Sequence, residues 1–167
     1  MKHTVEIVIN RIIIQNIVVM KILAVASDGG HWVELIRITK SLERDFSLCY
    51  VGTHNNQASS AGKNRFYKIS DFSRTDCYKF ILVFFQSMRI LIKEKPDVII
   101  TTGAAPGGVV VFVAALLRKR TIWIDSIANV NHLSLSGRIA SLFVSRVYTQ
   151  WKEIETGRIK FAGNVLG

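Results

Sequence analysis

Three short stretches carry the residues whose types and spacing could do chemistry. Residues 27–31 read Ser-Asp-Gly-Gly-His, residues 103–108 read Gly-Ala-Ala-Pro-Gly-Gly, and residues 125–137 read DSIANVNHLSLSG. Glycines let a backbone approach a ligand with no Cβ in the way. Where such a stretch opens a helix, free N–H groups and the positive dipole end favour an anion. Ser27, Gly29, Gly30, Gly103, Ala104, Gly107 and Gly108 are therefore candidate anion-binding residues. His31, with an ordinary pKa near 6.5, is a candidate general base; a hydrogen-bond partner to a ligand, or a structural role, fits it too. Asp28 is a second candidate base and equally a helix cap. Asp125 is a third. Turn chemistry alone also places glycines at such loops, but two glycine loops on one sheet edge favour a ligand site.

Several chemistries are disfavoured by spacing. A dinucleotide fingerprint needs G-x-G-x-x-G and an acidic residue after the second strand, and neither is present. A P-loop needs G-x-x-x-x-G-K-[ST], which the AGKN at residues 61–64 does not supply. No His/Cys/Asp cluster has metal-ligand spacing. No cofactor and no metal is expected. His54 and His132 sit in polar loops and are expected to be solvated.

The elements that must position these loops alternate along the chain. Residues 21–27, 46–52, 65–69, 97–102, 121–126 and 146–151 read as strands. Residues 31–44, 76–95, 106–118 and 135–145 read as helices, the third with Pro106 at its start, where a missing N–H costs little. Residues 53–64 read as a loop. The fold class is α/β, a Rossmann-like, open, mostly parallel sheet with helices on both faces. In the common strand order 3-2-1-4-5 the first two glycine loops flank one crevice at the carboxyl edge.

The 167 residues suit one domain, and 49% hydrophobic content is enough for a packed core. A net charge of +10 attracts polyanions: nucleic acid, anionic lipid or phosphorylated ligands. Aromatics fall inside apolar runs, so no nucleic-acid partner is expected. Cys49 and Cys77 form no CxxC, which fits reduced thiols and a cytosolic setting. Residues 1–19 are rich in Ile and Val, but Glu6, Asn10, Arg11, Gln15 and Asn16 interrupt them. A membrane span needs roughly 20 mostly apolar residues. This stretch is read as accessory, whether an extra strand, a peripheral anchor or an upstream extension, and residues 20–167 as the domain.

The helix over residues 76–95 is greasy on most sides. Lys79, Gln86, Arg89 and Lys93 form one stripe, and almost everything else from Phe80 to Ile92 is apolar. A deeply covered core helix is one explanation. The other is a helix whose outer face meets a bilayer, with Phe80, Phe84, Phe85 and Arg89 as membrane contacts.

With SDGGHW, PDVIITTGAAPGG, IDSIANVNHLSLSGR and VYTQW taken in order, the chain from Met20 onward resembles a known family. It looks like the membrane-associated, acceptor-side subunit of the two-part N-acetylglucosaminyltransferase of dolichol-linked glycan assembly, and more closely resembles that subunit's bacterial capsule and exopolysaccharide relatives. The resemblance implies one GT-B half, its UDP-sugar-binding half being a separate, smaller subunit. It implies a polyprenyl-diphosphate-linked acceptor sugar, met at the cytosolic membrane face, with the loop Ser27–His31 facing the acceptor and its diphosphate and Gly103–Gly108 matching the family's second glycine loop. Eukaryotic members carry an N-terminal membrane helix that residues 1–19 do not supply, so peripheral attachment through the greasy helix is expected instead; with 167 residues leaving no room for a nucleotide-sugar half, little activity is expected of the chain alone. Asp125, Ser126, Leu133, Ser134, Ser136, Gly137, Gln150 and Trp151 match further family motifs without assignable roles. The family often has Glu at position 125 and an Arg near residues 128–129 that this chain lacks. A membrane scaffold without catalytic residues and an autonomous small transferase stand as alternatives.

Overall fold

The computed structural model describes residues 19–72, 76 and 78–165. Cys77 and nearly all of the 1–19 extension lie outside them. The chain forms one seven-stranded, wholly parallel sheet in the order β3-β2-β1-β4-β5-β6-β7. The strands are β1 (Lys21–Val25), β2 (Ser47–Gly52), β3 (Arg65–Lys68), β4 (Val98–Thr101), β5 (Arg120–Ile124), β6 (Arg146–Thr149) and β7 (Ile159–Phe161). The helices are α1 (Gly30–Thr39), α2 (Gln57–Ser60), α3 (Lys79–Glu94), α4 (Ala104–Leu116) and α5 (Leu135–Ala140). The expected α/β class stands, and the first five strands take the common 3-2-1-4-5 order under which the two glycine loops flank one crevice.

Strand alternation divides the core between two faces. Leu23, Val25, Cys49, Val51 and Ile99 pack under α3, α4 and α5. Ile22, Ala24, Leu48, Tyr50, Val98 and Ile100 pack with Trp32 and Leu35 of α1. Helix α4 (AAPGGVVVFVAAL) is apolar almost all round and lies buried along most of its length. Its valines favour strands in isolation, and burial against the sheet overrides that weak preference.

Details differ from the sequence reading. Pro106 is the third residue of α4, not the first; N–H groups of the first turn lack intrahelical partners in any case, so proline is tolerated there. The polar loop over 53–64 contains the single turn α2. The first helix ends at Thr39 and tightens into a 3-10 turn, Lys40–Arg44. α5 is only six residues long, and β7 carries too little pattern to be read. α3 closes on Lys95 in the left-handed conformation (φ 47°), just before Pro96.

α3 is not fully covered. Val83, Ile90 and Leu91 face the core, while Ile81, Leu82, Phe85, Arg89 and Ile92 are exposed. The covered-helix explanation is therefore excluded. Phe84 is half-buried against the core, so the outward apolar face is made by its neighbours instead. The polar stripe is also partly spent: Gln86 accepts from the Ser70 N–H at 2.9 Å, and the Lys93 ammonium sits over the Tyr67 ring.

At the amino-terminal edge, Glu94 of α3 is buried among cations. It accepts from Tyr67 Oη (2.5 Å), Lys21 Nζ (3.2 Å) and Arg65 Nη1 (3.2 Å). Burial pushes its pKa up, but these hydrogen bonds and the Lys21 charge outweigh that and hold it below its ordinary value. Burial, then the nearby Glu94 charge, pushes the Cys49 thiol up to about 12, so it stays protonated and unreactive at neutral pH.

Because the folded pKa of Glu94 is lowered, the unfolded chain takes up its proton first. The stability contributed by Glu94 is full above the unfolded value and fades as pH falls through the lower folded one. Glu94→Gln should therefore cost about 1–3 kcal/mol at pH 7. The gap to the parent should narrow as urea denaturation is repeated below about pH 4.5.

Candidate functional site

β1 and β4 are neighbours whose following helices lie on opposite faces of the sheet, so their carboxyl ends form a topological switch point. The two glycine loops leave the sheet here and are tied to each other. His31 Nδ1 donates to the Thr102 carbonyl oxygen (2.9 Å), and Thr102 Oγ1 donates back to the His31 carbonyl oxygen (2.7 Å). A carbonyl only accepts, so in the neutral ring the proton sits on Nδ1. Nε2 keeps its lone pair. His31 is half-buried at the second position of α1, where it can take a proton from a ligand hydroxyl.

The glycines divide by what demands them. Gly29 (φ 78°) and Gly103 (φ 121°) are N-caps of α1 and α4 in backbone conformations that disfavour any side chain. A Cβ on Gly103 would also stand 3.1 Å from His31 Cε1. A Cβ on Gly107 would collide with Thr101 Oγ1. Gly30 and Gly108 have no such reason: a Cβ would meet nothing within 4 Å at Gly30, and only an ordinary 4.0 Å contact with Trp123 at Gly108. Ala104 holds φ 65°, a strained value for a residue with a side chain, at the first position of α4. Neither N-cap offers a side-chain bond to its helix. Asp28, read as a helix cap among other roles, thus does not cap α1.

Asp28 is exposed and instead borders the end of β2. Its N–H donates to Thr53 Oγ1 (3.3 Å), and its carboxylate lies 3.8 Å from His54 Nδ1. His54 is exposed, as expected, and also contacts Thr53 Oγ1 at 3.1 Å, so it has neighbours that the loop spacing did not show. His132 is exposed as expected. Ser27 is buried at the base of the same loop.

The third loop is built around buried carboxylates. Asp125 accepts from Trp123 Nε1 (3.0 Å), Ser134 N (2.8 Å) and Ser134 Oγ (2.6 Å). Those bonds occupy it, and its candidacy as a base is replaced by a positioning role. Ser134 caps α5 by accepting from Gly137 N, and a Cβ on Gly137 would lie 2.6 Å from Asp125 Oδ1. Glu34, absent from the sequence-based candidates, is buried on α1 and accepts from Ser126 Oγ (2.8 Å), Ile127 N (3.3 Å) and Gln150 Nε2 (3.3 Å). Gln150 also donates to the Asp125 carbonyl, and Trp151 Nε1 to the Ile127 carbonyl. Leu133 is core, while Ser136 lines an apolar groove beside α4. The LSLSG and Gln-Trp motifs thus fold the β5–α5 loop against α1.

The family model for "Oligosaccharide biosynthesis protein Alg14 like" matches residues 22–165. The chain is 25% identical over 163 residues to the UDP-N-acetylglucosamine transferase subunit ALG14 of Yarrowia lipolytica, covering 80% of this chain and 74% of that protein. It is 28% identical over 167 residues to the Candida albicans subunit of the same name, covering 83% and 74%. Among solved structures, Acinetobacter baumannii MurG superposes with a TM-score of 0.74 at 16% identity, over 87% of this chain and 46% of that one. The UDP-GlcNAc 2-epimerase of Neisseria meningitidis gives 0.67 at 11% identity, over 88% and 47%. The chain spans about half the length of these structures, and the likeness establishes a Rossmann-like GT-B half.

The two kinds of glycine should separate on substitution. Gly103→Ala should lose about 1–3 kcal/mol of unfolding free energy. Gly108→Ala, inside α4, should gain about 0.5–1 kcal/mol from helix propensity, and Gly30→Ala should change little. Urea denaturation of the three variants reads this directly.

Proposed function

This chain belongs to the Alg14-like family of oligosaccharide biosynthesis proteins, and we propose that it is the acceptor-side subunit of a two-component glycosyltransferase. It presents a polyprenyl-diphosphate-linked sugar and recruits a separate UDP-sugar-binding subunit, in capsule or exopolysaccharide synthesis. The observation that carries this is the His31–Thr102 tie, which sets two uncapped, glycine-opened helix starts side by side at the switch point. Those N–H groups and dipole ends suit a diphosphate. Gly30 and Gly108, free of internal demands, leave the backbone open to it.

In the reaction, the acceptor hydroxyl oxygen attacks the anomeric carbon of the UDP-sugar. The bond from that carbon to UDP breaks, and UDP leaves with the electron pair. The hydroxyl proton passes to His31 Nε2, the ring nitrogen left unprotonated by the Thr102 bond. The names of the relatives point to UDP-N-acetylglucosamine as donor. For the partner we assign the thinly covered sheet face of β4–β6. There Ile122, Ile124 and Tyr148 are only half-buried beside a groove of about 310 Å³, whereas parallel sheets normally bury both faces.

Attachment to the cytoplasmic membrane face runs through the outer face of α3, where Ile81 is 63% and Phe85 65% exposed. Exposed Phe80 and Arg89 extend it, and the +10 charge adds attraction to anionic lipid. Among the described residues no helix is long and apolar enough to cross a membrane.

Radiolabelled sugar transfer on membranes tests the division of labour. Activity should need both chains, and transfer by this chain alone overturns the proposal. His31→Ala in the complex should lower transfer about 10²–10⁴-fold; full activity would leave a scaffold. The pair Ile81→Glu and Phe85→Glu should cut sedimentation with anionic vesicles by about tenfold while circular dichroism stays unchanged.

A further inference from the structure

One groove in the described structure is unlike the rest of the candidate site. About 580 Å³ in volume, it lies between α3, α4 and α5. Phe80 comes from α3, Val109 and Phe112 from α4, and Ile139 from α5, with Leu142 and Phe143 just beyond. Among the described residues no charged one lines it, and Ser136 is the one polar side chain. A groove of this size and lining suits an apolar ligand.

Its position gives it a polar end. Ala105 and Gly108, in the first two turns of α4, line the groove. That same helix start carries Gly103 and Ala104 and has no side-chain cap. One helix end therefore faces an anion-ready loop on one side and a hydrocarbon-like channel on the other. Of its lining residues Phe80 and Leu142 are exposed, and Phe80, at the start of α3, continues into the exposed apolar face of that helix. A path thus runs from backbone N–H groups, through an apolar groove, to an apolar outer surface. A partner helix would fill the groove but leave the polar end unused. An amphiphile with a charged head and a hydrocarbon tail matches all three parts.

We infer that this groove holds the first isoprenoid units of the lipid carrier, next to its diphosphate. The inference rests on the acceptor-side reading above and adds to it the residues that recognise the lipid rather than the phosphate. Seating the tail between α4 and α5 fixes the direction in which the diphosphate and its sugar leave the loop. It also makes recognition depend on the carrier as well as on the glycan.

Titration of the full chain with two probes, farnesyl diphosphate and inorganic diphosphate, tests the inference. Farnesyl diphosphate should bind at least about tenfold more tightly, from burial of its tail. The double variant Ile139→Glu/Leu142→Glu should abolish that difference while leaving inorganic diphosphate affinity unchanged. Both side chains are more than half exposed, so the core is spared. Ile92→Glu, on α3 away from the groove, should change neither affinity. Equal affinities for the two probes would overturn the prenyl groove and leave the diphosphate reading intact, as would a preference for farnesyl diphosphate that survives the double variant. Binding of neither probe would remove the acceptor-side reading, and the groove assignment with it.

Discussion

Two hydrogen bonds running in opposite directions between His31 and Thr102 hold the carboxyl edge together. Each joins a side chain of one loop to a carbonyl of the other, so neither loop can move without breaking both. Everything at the edge takes its position from them. They align the starts of α1 and α4, set Gly103 against the His31 ring, and decide which imidazole nitrogen carries the proton. A buried carbonyl that lost its donor would cost about 1–3 kcal/mol, which makes the arrangement rigid as well as specific. The strain at Ala104 is tolerable only in such a fixed frame.

Around that centre the third loop is organised by charge taken out of water. Asp125 and Glu34 are both buried, and each accepts several hydrogen bonds. Gln150 touches both parts, reaching the Glu34 carboxylate and the Asp125 carbonyl. The result joins α1, β5 and the segment after β6, three pieces remote in sequence. It explains why motifs with no obvious chemistry cluster here: they hold the loop in shape, and the shape forms the α5 wall of the apolar groove.

Much of this was legible in the residues. Continuous apolar runs such as VIIT mark strands buried on both faces, and their alternation with helices gives the parallel sheet, though not the order of its strands. The glycine pairs were visible as loops, and the greasy face of α3 as a face in need of cover. What stayed hidden depended on distance in the chain. Thr102 is an ordinary strand-end threonine until His31 is placed beside it. Glu34 reads as a polar residue on an amphipathic helix until Ser126 and Gln150 surround it. His54 acquires Asp28 as a neighbour only because β1 and β2 are adjacent. The reasons for individual glycines were equally out of reach, since Gly107 answers to Thr101 and Gly137 to Asp125.

The placement of β1 in the interior of the sheet, beside β4, also governs the order in which this molecule can assemble. β1 is the first strand of the domain, yet it pairs with β4 across 76 residues, as Ile22 meets Val98. The His31–Thr102 bonds span 71 residues. Such non-local pairings must meet the entropy of closing a long loop before any contact repays it, and they slow folding. On an emerging chain, β1, β2 and β3 can associate early, but the crevice does not exist until β4 has been made and docked. The crevice between the first two loops is thus made only when β4 docks beside β1, and the third loop, after β5, is added to it later in the chain.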